Sequence, residues 1–175
     1  KIVDDNGKRL PEDGKNIGNL YIRGNTIAGG YYNNEEASKA AIDEEGYFGT
    51  GDVASIDEQG FLRLTDRAKD LIKSGGEWIS SIDLENRAMS HPDVENCAVI
   101  AIPHEKWDER PLLVVVPVEG KKPSKEELIK HLEGHFAKWQ MPDDVVYEDE
   151  LPLTATGKVS KLTLRQKYEN YTLAS

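Results

Sequence analysis

The 175-residue sequence predicts an α+β fold, in which a β-rich first third precedes a small mixed sheet with helices packed on it. Up to residue 66, short segments with alternating apolar residues lie between glycine-containing turns, a pattern typical of antiparallel strands. Beyond residue 66, β-branched apolar runs at 97–103 and 112–118 indicate buried strands, and they alternate with segments of helical periodicity. A hydrophobic share of 38% is enough for a globular core.

The first third is predicted as strands and turns with one short helix. Asn33 or Asn34 is a suitable N-cap for that helix, because either side chain can accept a hydrogen bond from its first turn. We predict a first strand entering the turn at 5–7, a strand over 17–23, the helix over 34–42, a glycine-rich loop over 46–52, and a hairpin formed by 53–57 and 61–65.

The rest of the chain is predicted to alternate between helices and strands. A capping box of Ser124 and Glu127 opens a helix whose apolar spacing continues to Phe136. The remaining predicted elements are a tight hairpin around 74–76, a helix over 81–90, the strands 97–103 and 112–118, a strand over 145–147, a loop over 151–157 and a final helix over 163–168. At 66–69 the sequence changes from strand-and-turn segments to alternating strands and helices, and we place a domain boundary there.

Charge and cysteine content exclude several classes of protein. The 22 basic and 32 acidic residues give a net charge of -10, the wrong sign for a protein that neutralises the phosphates of a nucleic acid. No apolar run approaches a membrane span. The single cysteine, Cys97, lies in a predicted buried strand and is interpreted as a small core residue. Because the chain begins at Lys1, with neither an initiator Met nor a signal peptide, we expect a piece of a longer cytoplasmic protein.

Common catalytic and metal-binding motifs do not fit. The Gly157-Lys158 pair lacks the first glycine of a P-loop and is followed by Val159 rather than Ser or Thr. His104-Glu105 begins like a zinc motif, but Asp108 stands where the second histidine would be. The sequence also has no dinucleotide-binding Gly-x-Gly-x-x-Gly fingerprint and no Gly-x-Ser-x-Gly nucleophile elbow.

Three loops carry residues suited to chemistry, although each also has a plain structural explanation. Asp52, after a glycine, could accept two ribose hydroxyls or could cap a turn. The charged run 66–70, followed by a double glycine at 75–76, suits a mobile joint beside a narrow passage or a solvated strand face. Lys158, near the basic residues of the predicted last helix, could bind phosphate or carboxylate or could be an exposed loop lysine.

Taken in this order, the loops resemble motifs of the acyl-adenylate-forming enzymes: acyl-CoA synthetases, peptide-synthetase adenylation domains and luciferases. GYFGTGD at 46–52 is similar to the family's Gly-Trp/Tyr-Phe-x-Thr-Gly-Asp element. DRAKDLIKSGGE at 66–77 resembles its hinge motif, and LPLTATGK at 151–158 resembles its terminal Pro-x-Thr-x-x-Gly-Lys element. The segments 77–86 and 136–142 look like those of medium- and long-chain fatty acyl-CoA synthetases.

The resemblance implies a two-step reaction. ATP and a fatty acid would give acyl-AMP and pyrophosphate, and coenzyme A would then attack acyl-AMP to give the thioester and AMP. Asp52 would bind the ribose hydroxyls, and Arg67 would help to hold the ribose or phosphates. Lys69 would be the hinge residue, a position that holds Asp or Lys in the family. Lys158 would bridge the carboxylate and the α-phosphate as negative charge develops.

The second step would use the double glycine. By resemblance, Gly75 and Gly76 would line the passage for the pantetheine arm of CoA, and Trp78 would lie beside it. The small C-terminal domain would rotate about the hinge between the two steps, presenting the glycine hairpin in place of the lysine.

The family's phosphate loop, carboxylate pocket and Mg-binding Glu are missing from the sequence, and we expect them upstream of Lys1. Residues 1–66 would then be the end of a large N-terminal domain, and residues 67–175 the complete mobile C-terminal domain. Alternatives are an adenylating enzyme with another acceptor, such as a carrier protein or oxygen, and a non-catalytic module. The sequence leaves open the chain length of the acid and whether the protein forms a homo-oligomer.

Overall fold

A computed structural model of the protein describes residues 1–173, which form two compact units. The first unit is Lys1–Lys69, and the second begins at Asp70. Both units mix strands and helices, which confirms the predicted α+β class. None of the helices within residues 1–173 is long and apolar enough to cross a membrane.

The first unit is an antiparallel sheet with the strand order β1-β2-β3-β4 and one short helix. Ile2, Leu20 and Ala54 form its buried centre. The helix begins where predicted, because the side chain of Asn34 accepts a hydrogen bond from the backbone N of Ala37 at 3.0 Å. The elements are β1 (Ile2–Val3), β2 (Gly18–Ile22), α1 (Glu35–Ala41), β3 (Phe48–Ile56) and β4 (Leu62–Arg67).

The predicted loop over 46–52 is wrong for most of its length, since β3 already begins at Phe48. Its glycines serve the strand. A Cβ at Gly49 would lie 3.2 Å from the Tyr21 ring on β2, so glycine here permits close approach of the two strands. Gly51 has φ +75°, a left-handed conformation inside the strand that favours glycine.

The second unit is a mixed sheet with helices on both faces. Its strand order is β6-β5-β8-β7, and β9 runs parallel to β8. The elements are β5 (Ile72–Ser74), β6 (Glu77–Ile79), α2 (Ser81–Met89), β7 (Val94–His104), β8 (Asp108–Pro117), α3 (Lys125–Leu132), a 3-10 turn (Lys138–Gln140), β9 (Asp144–Tyr147) and α4 (Lys161–Lys167).

Alternate residues of β7 and β8 belong to two cores, which explains why both strands are continuously apolar. Cys97 and Val99 pack with residues of α2 and α3, whereas Ala98 and Ile100 pack with Leu164 of α4. Burial raises the pKa of the Cys97 thiol to about 12, so the cysteine behaves as the core residue that its neighbours predict.

Helix α3 has the predicted capping box, but it is shorter than predicted. Ser124 Oγ accepts from Glu127 N at 3.2 Å, while the Glu127 carboxylate accepts from Ser124 N at 2.7 Å. The helix ends at Leu132 because Glu133 turns extended and Gly134 adopts φ +78°. Phe136 therefore lies outside the helix, yet it still packs against the same core.

Leu164 and Leu162 allow a test of this packing within one helix. Leu164 is fully buried and Leu162 is 57% exposed. We expect Leu164→Ala to lower the free energy of unfolding by about 2–5 kcal/mol, because it removes buried methyl groups and leaves a cavity. Leu162→Ala should change it by less than about 0.5 kcal/mol. Urea unfolding followed by circular dichroism measures both; equal effects would show that α4 is not anchored by Leu164.

Candidate functional site

Asp52 and Arg67 come together in the first unit. They are directly opposite residues on β3 and β4, and Arg67 Nε lies 3.4 Å from Asp52 Oδ1. The carboxylate side chain is 30% exposed and the guanidinium side chain 58% exposed. An exposed pair of this kind adds little stability. Both groups can therefore exchange partners with a ligand at small energetic cost.

The backbone around Asp52 is held by a local hydrogen-bond network. Thr50 Oγ1 donates to Leu20 O at 3.1 Å and accepts from Asp52 N at 3.0 Å. Gly51 O accepts from Ala68 N at 3.0 Å, which closes β3 against the residue after β4. The preceding turn is capped by Asp43, whose Oδ1 accepts from the backbone N of both Glu45 and Tyr47. Asp52 is thus a strand residue whose carboxylate contacts an arginine, rather than a turn cap.

Lys69 is the last residue of the first unit and lies in the exposed turn that follows β4. The next residue, Asp70, belongs to the second unit, where its Oδ1 accepts from Arg165 Nη1 of α4 at 2.6 Å. The Asp70 side chain is only 12% exposed. The start of the second unit is therefore tied to its last helix.

Lys158 stands at the end of a tight loop in the second unit. Leu153 and Val159 form an isolated antiparallel bridge across the loop. Between them, Thr154 N donates to Lys158 O at 2.6 Å and Thr154 Oγ1 accepts from Lys158 N at 3.2 Å. Gly157 has φ +77°, which the turn requires. The backbone of Lys158 is held on both sides, while the residue itself is exposed.

Helix α4, which follows this loop, is fixed to the rest of the second unit by a half-buried cation. Lys161 Nζ lies 2.7 Å from a Glu85 carboxylate oxygen and donates to Ser81 Oγ at 2.5 Å, both on α2. The same Glu85 oxygen accepts from Val99 N on β7 at 2.7 Å. The charge pair is compensated by these hydrogen bonds, as a pair this far from water must be. The chain is thereby anchored three residues after Lys158.

Gly75 and Gly76 form the turn between β5 and β6, as predicted. Their φ angles are +59° and +86°, both left-handed. A Cβ at Gly75 would lie 2.8 Å from Cε3 of Trp107, whereas a Cβ at Gly76 would meet open space. Gly75 thus allows contact with an indole, and Gly76 keeps the outer surface of the turn without a side chain.

Trp78 lies on β6 opposite Lys73 of β5, and Lys73 Nζ is 4.6 Å from the Trp78 ring centroid. Trp107, which the sequence did not single out, is the tryptophan that touches the glycine turn. Gly75 N donates to Trp107 O at 2.9 Å, and an indole atom packs where the Gly75 side chain would be. In the sequence, Trp107 lies in the short segment between β7 and β8. The strand pairing that brings it to Gly75 is non-local, so the sequence alone does not predict this contact.

Beside the glycine turn lies a cavity of about 290 Å³, close in size to the smallest ligand pockets of proteins. Two indole rings and a buried guanidinium give it an apolar wall with a polar edge. Its lining residues are Ser74, Gly75, Glu77, Trp107, Arg110, Trp139 and Asp143.

His104 has a structural task. Its Nδ1 accepts from Lys106 N at 3.1 Å and from Trp107 N at 3.2 Å, which holds the turn between β7 and β8. Asp108, where a zinc motif would have its second histidine, is the first residue of β8 and takes φ +64°. Within residues 1–173, no group of three His, Cys, Asp or Glu side chains could hold a metal ion.

The predicted site residues fall into three groups. Asp52 and Arg67 meet in the first unit, with Lys69 at its end. Gly75, Gly76 and Trp78 share one hairpin of the second unit, and Lys158 lies on a separate loop of that unit.

The chain is similar to known proteins over nearly its whole length. Residues 83–158 match the family model described as the AMP-binding enzyme C-terminal domain. The chain is 54% identical over 172 residues to a long-chain-fatty-acid–CoA ligase of Thermus thermophilus, covering 98% of this chain and 32% of that protein. It is 51% identical over 170 residues to a 3-methylmercaptopropionyl-CoA ligase of Ruegeria pomeroyi, covering 97% and 31%.

The fold agrees with the sequence comparison. The ATP-bound crystal structure of MatB from Rhodopseudomonas palustris superposes with a TM-score of 0.86 at 33% identity, covering 97% of this chain and 33% of that one. The chain thus spans about one third of the length of the relatives it matches. Residues 83–158 therefore match the AMP-binding enzyme C-terminal domain family, and the chain as a whole is similar to about one third of several CoA ligases.

Proposed function

We propose that the full-length protein carrying this sequence is an AMP-forming acyl-CoA ligase of the fatty acid type. One observation carries the proposal: the second unit presents a lysine on a fixed loop and, as a separate element, a glycine turn without a side chain on its outer surface. A two-step ligase needs one such element for each step. The similarity to two CoA ligases that differ in their acids supports thioester formation more strongly than it supports any particular acid.

In the first step, a carboxylate oxygen of the acid would attack the α-phosphorus of ATP, and pyrophosphate would leave. Asp52 and Arg67 would bind the ribose hydroxyls and an adjacent oxygen of the nucleotide. The exposed Lys158 would place its ammonium group between the carboxylate and the α-phosphate, where negative charge grows as the new bond forms. A lysine suits this task because a compact charge on a flexible stem can reach in from a loop.

In the second step, the sulfur of CoA would attack the acyl carbon, and AMP would leave with the oxygen that came from the carboxylate. The pantetheine arm would pass over Gly76, whose outer surface is open. We assign the cavity between Trp107 and Trp139 to the same passage, because aromatic faces beside a polar edge suit a chain that ends in a nucleotide.

For the lysine loop and the glycine turn to act on the same acyl group one after the other, the second unit would have to rotate about Lys69 between the steps. Residues 1–66 would then stay with a large upstream domain that supplies the phosphate loop, the acid pocket and the Mg²⁺ that accompanies ATP. Cytoplasmic location and possible self-association stay predictions.

The proposal is tested with the full-length protein, a panel of fatty acids, ATP and Mg²⁺, with free CoA or a holo-carrier protein as acceptor. We expect acyl-CoA and AMP in equal amounts. If the carrier protein were acylated and CoA were not, the acceptor would be the carrier protein. Nucleotide binding without turnover of any acid would favour a non-catalytic module.

The 175-residue chain by itself should be inactive. It lacks the predicted phosphate loop and acid pocket, so we expect no carboxylate-dependent exchange of label between pyrophosphate and ATP. The full-length protein, assayed in parallel, should catalyse this exchange. Exchange by the isolated chain would show that the first step needs no upstream domain.

A further inference from the structure

We propose that Arg110 is a positioning residue for the second step. Its side chain holds the glycine turn and the cavity lining around Trp139 at a fixed separation. This rests on the proposed function, because it assumes that CoA passes this hairpin. Arg110 lies on β8, outside every motif that resembles the adenylate-forming enzymes, and its side chain is only 8% exposed.

The guanidinium group joins β8 to two other segments of the second unit, the end of β5 and the stretch 139–143. Nη1 donates to Ser74 Oγ at 2.9 Å and to Trp139 O at 2.6 Å. Nη2 donates to Met141 O at 3.0 Å, and the pair Nε and Nη2 binds both carboxylate oxygens of Asp143 at 2.8 and 2.6 Å. A planar fork with five donors can satisfy this set, whereas the single ammonium of lysine cannot.

The hairpin needs such a tie because its backbone attachment is short. The register of β5 against β8 consists of the pair Ser74 and Asp108, and Ser74 directly precedes Gly75. A buried arginine with its carboxylate partner is a costly way to join segments, since well-packed apolar residues often give equal stability. Directional hydrogen bonds to Ser74 and to Trp139, which both line the cavity, explain the choice of arginine better than stability does.

The proposed path of CoA past this hairpin connects Arg110 to CoA binding. Ser74 and Trp139 both line the cavity that we assign to CoA, and Arg110 Nη1 donates to both. Loss of this bridge should let the walls shift relative to each other and weaken binding of CoA. The Lys158 loop is anchored by other residues, Lys161 and Glu85, so the first step should be spared.

The test uses the full-length ligase and measures the two half-reactions separately: pyrophosphate–ATP exchange for the first, and transfer from supplied acyl-AMP to CoA for the second. Ser74→Ala removes one hydrogen bond to a charged donor and should raise the KM for CoA about tenfold. Arg110→Met should lower kcat/KM for CoA about 100-fold, and Arg110→Lys should recover part of that loss. All three should leave the exchange within about twofold of the unmodified enzyme.

Arg87→Met is the matched control, because Arg87 also joins segments of the second unit, donating to His131 O at 3.1 Å, but touches neither the hairpin nor the cavity lining. It should leave the KM for CoA unchanged. Equal losses in both half-reactions for Ser74→Ala and Arg110→Met, or an unchanged KM for CoA in Ser74→Ala, would overturn the assignment; the serine variant decides if Arg110→Met does not fold. An unmodified enzyme that makes no acyl-CoA would instead overturn the proposed function and this inference with it.

Discussion

Replacing Lys158 with alanine should reduce formation of acyl-AMP by about 10²–10³-fold in the full-length enzyme, the usual effect of removing a group that stabilises developing charge. The loop backbone should be unaffected, since its hydrogen bonds come from Thr154 and from the bridge between Leu153 and Val159. Transfer from supplied acyl-AMP to CoA should keep most of its rate, because we propose that this step uses the glycine turn in place of Lys158.

Lys130→Ala is the control for loss of one positive charge from the same unit, because Lys130 is exposed on α3 and far from both loops in sequence. It should leave both half-reactions unchanged. If Lys158→Ala slowed both half-reactions equally, the lysine would serve the whole site rather than the first step.

Replacing Gly76 with leucine should have the opposite pattern. The new side chain would project into the open space outside the turn, where the pantetheine arm is proposed to pass, and we expect transfer to CoA to fall about 100-fold or more. The exchange half-reaction should persist. A left-handed backbone angle disfavours leucine by about 1–2 kcal/mol, so some loss of stability accompanies the steric effect.

Gly134→Leu separates these two effects. Gly134 has φ +78°, close to the +86° of Gly76, and a Cβ there also meets open space. It lies after α3, away from the hairpin. We expect a similar decrease in the free energy of unfolding with normal transfer to CoA. Equal loss of transfer in both variants would attribute the effect at Gly76 to backbone strain.

Local signals in the sequence predicted most of the elements correctly. The Ser124 and Glu127 capping box and the Asn34 cap lie where predicted, because caps depend on residues three positions apart. The errors come from glycine. Gly49 and Gly51 indicated a loop but lie inside β3, since glycine also allows strands to approach closely and to adopt irregular angles.

The candidate site was predictable only where its residues fall within contiguous motifs. Asp52, Arg67, Gly75, Gly76 and Lys158 all lie in contiguous segments that resemble family motifs, and their roles stay predictions. Trp107 and Arg110 could not be found in this way. They reach the glycine turn through the pairing of β5 with β8, which joins residues more than thirty positions apart, and no local pattern encodes that strand order.

The path of one oxygen atom tests the central claim most directly. The full-length enzyme is given ATP, CoA and a fatty acid labelled with ¹⁸O in both carboxylate oxygens, and the products are analysed by mass spectrometry. Formation of acyl-AMP followed by attack of CoA on the acyl carbon predicts one ¹⁸O in AMP and one in acyl-CoA, with the two products in equal amounts. Unlabelled AMP, or ADP and labelled phosphate in its place, would contradict an acyl-adenylate intermediate.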